Sequence, residues 1–249
     1  MAIRIITDST SDFTRAEAAQ LGLEIVPLKT RFGDEEYIDG VTISPKEFYE
    51  KLIEGDVLPT TSQPSPSEFE EVYDRVLGPE DEAVVITISA ELSGTCQSAL
   101  IAAEKYEGRV HVVDSRSASI GTQILVRRAL ELAPGAQSAQ ELAHQLTQER
   151  EKVCVIALLD TLEYLKRGGR ISSAVAFAGG VLAIKPVVSI QDGAVQLVGR
   201  ARGSKNGNNL LSEFIKKRGG VDFSLPHTLG YTGLSDALLQ KYVHDSAHL

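Results

Sequence analysis

Residues 83–103, AVVITISAELSGTCQSALIAA, decide the fold class. The run Ala83-Val84-Val85-Ile86-Thr87-Ile88 is apolar on both alternating faces and rich in β-branched residues. That suits a central parallel strand covered by helices on both sides. Ser89 to Gly94 turns the chain, and from Thr95 onward Cys96, Ala99, Leu100 and Ala103 recur at helical spacing. Ser93, Gly94 and Thr95 are therefore expected at a helix N-terminus, where unpaired backbone N–H groups favour a negative group. Open α/β sheets bind their ligands at this end of the strands. The competing reading is that Ser93 or Thr95 only caps the helix.

Upstream, Ile3 to Thr7 reads as a strand that ends in the polar loop Asp8-Ser9-Thr10-Ser11-Asp12. Thr14-Arg15-Ala16-Glu17 is a capping box, Gly22 stops the helix it opens, and Leu23 to Leu28 is the next strand. Turn signals at Gly33-Asp34 and Asp39-Gly40 flank Tyr37-Ile38, so residues 29–43 are expected to form an inserted hairpin. Ser44-Pro45-Lys46-Glu47 and Ser65-Pro66-Ser67-Glu68 open two more helices with a cap, a proline at the first position and a capping-box glutamate. Between them lies Asp56-Val57-Leu58-Pro59-Thr60-Thr61-Ser62-Gln63-Pro64, read as a hydroxyl-rich loop whose prolines restrict the backbone and hold Thr61 and Ser62 in place.

Downstream, Val110 to Val113 is a strand followed by Asp114-Ser115 and a helix from about Ala118 to Ala133; Ser138 caps another helix, and Val153 to Leu159 is a further apolar strand. Past residue 160 the pattern changes. Leu162 to Arg170 ends a helix in Gly168-Gly169, Ser172-Ser173 begins another, and Ala174 to Ile184 is small and apolar. Lys185–Ile190, Asp192-Gly193 and Ala194–Val198 read as a hairpin. A helix over 208–218, a strand-like HTLGYT and a last helix from Ser235 to His244 complete the chain. Antiparallel pairing after parallel βα units implies two domains: 1–160, α/β with a parallel sheet, and 161–249, α/β with a mixed, largely antiparallel sheet.

The net charge of −9 over 249 residues argues against nucleic acid as a partner, since phosphate contacts need a basic face. No run reaches membrane-spanning length, so no transmembrane segment is expected, and transient contact with a membrane surface stays open. The opening MAIRIITDS enters a strand pattern at once, so a cytoplasmic location is expected. The two cysteines, Cys96 and Cys154, both sit in apolar surroundings and read as small buried thiols, and the five histidines form no zinc-ligand pattern. Asp8, Asp12, Asp114 and Asp160 lie near strand ends, where caps and turns explain them as well as Mg²⁺ does; no metal or cofactor is expected.

The chemistry concentrates in two hydroxyl loops, Thr61-Ser62 and Ser93-Gly94-Thr95, read as coming from strand ends of one sheet, with Arg170 and Arg202 available from the second domain. Hydroxyls, helix N-terminal amides and guanidinium groups are the donors that a carboxylate or phosphate needs. A serine hydrolase or acyltransferase using Ser93 is the rival. The segment Glu91-Leu92-Ser93-Gly94-Thr95 is not G-x-S-x-G, and no histidine is placed to act as its base. Neither G-x-G-x-x-G nor a Walker loop is present.

Five motifs spread over nearly the whole chain carry a resemblance. They are Thr7-Asp8-Ser9 with Asp12, Thr61-Ser62-Gln63-Pro64-Ser65-Pro66, Ser93-Gly94-Thr95 with Gln97-Ser98-Ala99, Val113-Asp114-Ser115, and Leu165-Lys166-Arg167-Gly168-Gly169-Arg170-Ile171. On these the sequence resembles the DegV family, bacterial fatty-acid-binding proteins that include the acyl-carrier subunit of fatty acid kinase. The resemblance implies a Rossmann-like N-terminal domain and a second α/β domain that bury one long-chain fatty acid, its acyl chain in an apolar tunnel and its carboxylate at the domain interface. It implies binding rather than turnover. The carboxylate contacts fall on Thr61 and Ser93, with Ser62, Gly94 and Thr95 beside them and arginine support from Arg170. Arg202, in Gly199-Arg200-Ala201-Arg202-Gly203-Ser204-Lys205, matches an arginine tied to the kinase partner and phosphoryl transfer. The family pattern continues into a strand carrying G-T-H-x-G-P-G, whose histidine joins the carboxylate network. The sequence to Leu249 has no such segment, and neither His244 nor His248 takes over that role.

Overall fold

The computed structural model describes residues 2–172 and 184–246. Chain contacts divide these into two units: the described residues up to Val153 together with those from Pro226 onward, and Cys154–Leu225. The helix expected to begin at Ser172-Ser173 and most of the apolar stretch 174–184 lie outside the described residues.

In the first unit β1 (Ile3–Asp8), β2 (Glu24–Val26), β6 (Glu82–Thr87) and β7 (Val110–Asp114) form a parallel sheet in the order β2-β1-β6-β7. The alternation of side chains assigns its faces. Ile5, Val84 and Ile86 pack with Ala18 of α1 (Arg15–Leu21), with Leu125 and Val126 of α5 (Ile120–Leu132) and with Leu142 and Leu146 of α6 (Ala139–Glu149). Ile6, Ala83 and Val85 face the other way, onto Phe69 and Tyr73 of α3 (Pro66–Val76) and Ala99 and Ala102 of α4 (Thr95–Ala103). Each large side chain so buried contributes about 1.5–3 kcal/mol. The run from Ala83 thus makes a central strand covered on both faces, as its composition requires.

The helix starts obey their signals. Thr14, Ser44 and Ser65 each complete a capping box, at the heads of α1, α2 (Pro45–Glu54) and α3, and Gly22 ends α1 at φ +64°. The inserted hairpin forms from β3 (Lys29–Phe32) and β4 (Glu35–Ile38). It gains a third strand where the sequence reads as a loop: β5 (Thr60–Ser62) pairs antiparallel with β3, Thr61 opposite Thr30, giving the order β4-β3-β5. Pro59 and Pro64 hold the intervening backbone extended, and the open edge of β3 accepts it.

In the second unit β8 (Ile156–Leu158), β9 (Ile184–Gln191) and β10 (Ala194–Arg202) form an antiparallel sheet, β10-β9-β8. Asp192 and Gly193 turn the β9–β10 hairpin with φ of 50° and 80°, the conformation that Asp-Gly favours in a two-residue turn. This unit also holds α7 (Glu163–Arg167) and α8 (Gly203–Lys217), which begins earlier than the expected 208. Gly207 lets α8 lie on β8, since a Cβ there would come within 2.5 Å of Leu158 Cδ1. The sequence places the domain boundary after residue 160 because β8 reads like one more buried parallel strand. Its partner is β9 of the hairpin, and the units part between Val153 and Cys154.

The segment from Pro226 onward groups with the first unit, not with the hairpin unit. Residues 227–232, HTLGYT, form no strand, and α9 (Ala237–Ser246) follows. Gly230 packs on Ile120, with a Cβ there only 3.1 Å from Ile120 Cγ2, and the Tyr49 phenol faces the Gly233 backbone and the Thr232 side chain. Cys96 is buried as expected, and burial pushes its thiol up, which suits an inert packing residue. Cys154 is exposed, contrary to expectation, and lies before β8 rather than inside a strand.

Candidate functional site

The turn from Ile88 to Gly94 leaves the sheet between β1 and β7, and both neighbours hold it. Ile88 N–H donates to Asp8 Oδ2 at 2.8 Å, Ser89 N–H to the Ser117 carbonyl at 2.8 Å, and Ala90 N–H to Asp114 Oδ1 at 3.2 Å. Asp8 also accepts from the Thr10 amide at 2.9 Å and from the Thr10 hydroxyl. Asp8 and Asp114 are thus loop anchors, and Asp160 pairs with Lys185. Among the described residues no group of His, Cys, Asp or Glu is arranged to hold a metal ion.

Asp8 is fully buried, and desolvation raises its carboxyl above the ordinary 3.8, while the hydrogen bonds from Thr10 and Ile88 pull the other way and Asp12 adds to the rise. A carboxyl whose folded pKa is raised contributes stability that is present below its unfolded pKa and lost as pH rises through the folded value. We expect an NMR titration of the Asp8 carboxyl carbon to give a midpoint above 3.8; a midpoint at or below that value would mean that the hydrogen bonds outweigh burial.

At the end of this turn Gly94 occupies the N-cap of α4 with no side-chain cap, and Thr95, fully buried, is the first helical residue. Ser93 is half-buried. Its hydroxyl lies 2.9 Å from Thr95 Oγ1 and accepts from the Thr95 amide at 3.3 Å, so among the described residues its partners belong to Thr95 and neither is a base. Thr61 and Ser62 are exposed on β5, the edge strand of the small antiparallel sheet, rather than at a strand end of the parallel sheet.

What joins the two segments is Gln63. Its Nε2 donates to Ser98 Oγ in α4 at 3.0 Å, and its side-chain amide lies over Gly94. Reading the motif residue by residue assigns no task to Gln63. The available signals are its position two residues after Thr61 in an extended chain, and a glycine at a helix N-cap where Ser, Thr, Asp or Asn is the usual choice. The anchoring by Asp8 and Asp114 is equally invisible in sequence, where caps and turns account for both.

The arginines lie in the second unit. Arg170 is exposed just beyond α7, its guanidinium donating to the Gly168 carbonyl. Arg202 is exposed at the end of β10, at the N-cap of α8, and its carbonyl accepts from Asn206 Nδ2 at 2.9 Å.

A family model described as "Uncharacterised protein, DegV family" matches residues 2–241. The chain belongs to the DegV family. A DegV domain-containing protein of Deinococcus radiodurans is 38% identical over 234 residues, which cover 92% of this chain and 83% of that one. A solved structure described as fatty acid binding of a DegV family protein from Thermus thermophilus is 41% identical, with a TM-score of 0.79 over 88% of this chain and 78% of that one. A stearic acid-binding protein from Eubacterium ventriosum is 27% identical, with a TM-score of 0.76 over 88% of this chain and 76% of that one. The pairing of a parallel-sheet unit with separate antiparallel sheets is that of the DegV structures. Among the described residues of this DegV chain, no helix is long and apolar enough to cross a membrane.

Proposed function

We propose that this DegV chain binds one long-chain fatty acid and holds it without turnover, its carboxylate received by Thr61 and Ser93 with Ser62, Gly94 and Thr95 beside them. The observation that carries this reading is the fastening of two hydroxyl-bearing segments, β5 and the N-terminus of α4, to each other by Gln63. Hydroxyl donors and a helix N-terminus are what a carboxylate needs. The fatty acids described for the Thermus thermophilus and Eubacterium ventriosum relatives support the ligand class. Arg170 is proposed to add a charged donor, and the acyl chain to run in an apolar tunnel. In the same proposal the chain works in the cytoplasm, without metal or cofactor, and presents its ligand to a fatty acid kinase, with Arg202 serving the phosphoryl transfer.

The rival is a hydrolase or acyltransferase using Ser93. It is disfavoured because, among the described residues, the Ser93 hydroxyl pairs with Thr95 rather than with a histidine or a carboxylate. Native mass spectrometry of the purified chain separates the two. A retained long-chain fatty acid that persists unchanged on incubation is the expected result; a covalent adduct on Ser93, with burst release of product from an ester, would overturn it.

A further inference from the structure

We infer that Gln63 and Gly94 interlock to set the spacing between Thr61 and Ser93, which makes Gln63 a positioning residue for the carboxylate site. The inference rests on the proposed roles of Thr61 and Ser93. β5 has only three residues, all exposed, and a single strand neighbour, β3, so pairing alone fixes it weakly. Gln63 follows directly and precedes Pro64, which disfavours the helical region for the residue before it. The backbone leaving β5 is thereby biased toward the extended region, and the Gln63 side chain is the group that crosses to α4.

From there the side chain reaches α4 at two points. Nε2 donates to the hydroxyl of Ser98, which is only 3% exposed, and Oε1 sits 2.1 Å from where a Cβ on Gly94 would be. The three atoms nearest that imagined Cβ all belong to the Gln63 side chain. Gly94 has φ −73° and ψ 5°, a conformation open to any residue, so its backbone does not require glycine. Nor is glycine the best cap there. A side chain there would have to displace the Gln63 amide from its place over the helix end. The segment bearing Thr61 is thus keyed into the first turn of the helix that follows Ser93.

A double-mutant cycle on the full-length chain tests this, with stearate affinity read by calorimetry after delipidation and melting temperature read alongside. Gln63→Ala removes the key and Gly94→Ala fills its slot. Each is expected to weaken stearate binding by about three- to tenfold, the cost of ordering one or two side chains at the moment of binding. Because both break one device, Gly94→Ala in the Gln63→Ala background should add less than about a further twofold. Melting temperatures should stay close to that of the unmodified chain. Fully additive losses, unchanged affinity in both single variants, or a fall in melting temperature that accounts for the loss of affinity would each overturn the inference. Thr61→Ala and Ser93→Ala run in parallel separate the two layers. If they weaken binding while Gln63→Ala and Gly94→Ala do not, the interlock is wrong and the carboxylate site stands. If they have no effect, the carboxylate site falls and the inference with it.

Discussion

Replacing Ser93 by alanine is expected to weaken fatty-acid binding by about ten- to a hundredfold, and Thr61→Ala by a similar factor, since each removes a hydrogen bond to a charged acceptor worth roughly 1.5–3 kcal/mol. The fold should not suffer. Thr61 is exposed on an edge strand, and the Ser93 hydroxyl bonds to its neighbour Thr95, while the turn that carries Ser93 is anchored through backbone amides to Asp8, Ser117 and Asp114. None of those anchors is lost in either variant. Isothermal titration with a long-chain fatty acid, alongside thermal melts, decides the matter. Unchanged affinity in both folded variants would place the carboxylate elsewhere.

Arg202→Ala should behave in the opposite way, leaving fatty-acid affinity close to that of the unmodified chain while lowering acyl-phosphate formation by a cognate kinase about a hundredfold or more. An acyl phosphate carries more negative charge than the carboxylate from which it forms, so a guanidinium that meets it contributes more during transfer than in the resting complex. Arg202 is exposed at the N-cap of α8, where the helix dipole adds to the same positive field. The measurement sets acyl-phosphate formation, with the variant in excess over kinase, beside its ligand affinity. Equal loss of both, or loss of neither, would remove Arg202 from this role.

Most of the fold could be read from local pattern because its elements are locally determined. The strand at Ala83–Thr87 announces itself by composition, and the boxes at Thr14, Ser44 and Ser65 mark helix starts within one turn. What local pattern missed depends on distant partners. Residues 60–62 become a strand only because β3 offers an open edge, and Ile156–Leu158 resembles any buried strand until its antiparallel partner β9 is known. The tail was misassigned for the same reason: its contacts with Tyr49 and Ile120 span more of the chain than any periodicity can reach. In the candidate site the hydroxyls were legible as donors. Gln63 was not, because its task appears only when Gly94 is seen from across the fold.

The return of the chain at Pro226 bears on the order in which the molecule is made. On a translating ribosome the strands of the parallel sheet emerge by Asp114 and the helices covering it by Glu149, early enough to begin packing. Tyr49 and Ile120 must nevertheless wait for residues 230–233, which emerge only after the whole of Cys154–Leu225. The second unit is synthesised as an interruption of the first. Closing a long loop costs little more than closing a short one, so the interruption is thermodynamically mild. Its effect is on timing: the contacts of the tail with Tyr49 and Ile120 form only once the second unit has been synthesised, so nascent chains cut short before the tail lack them.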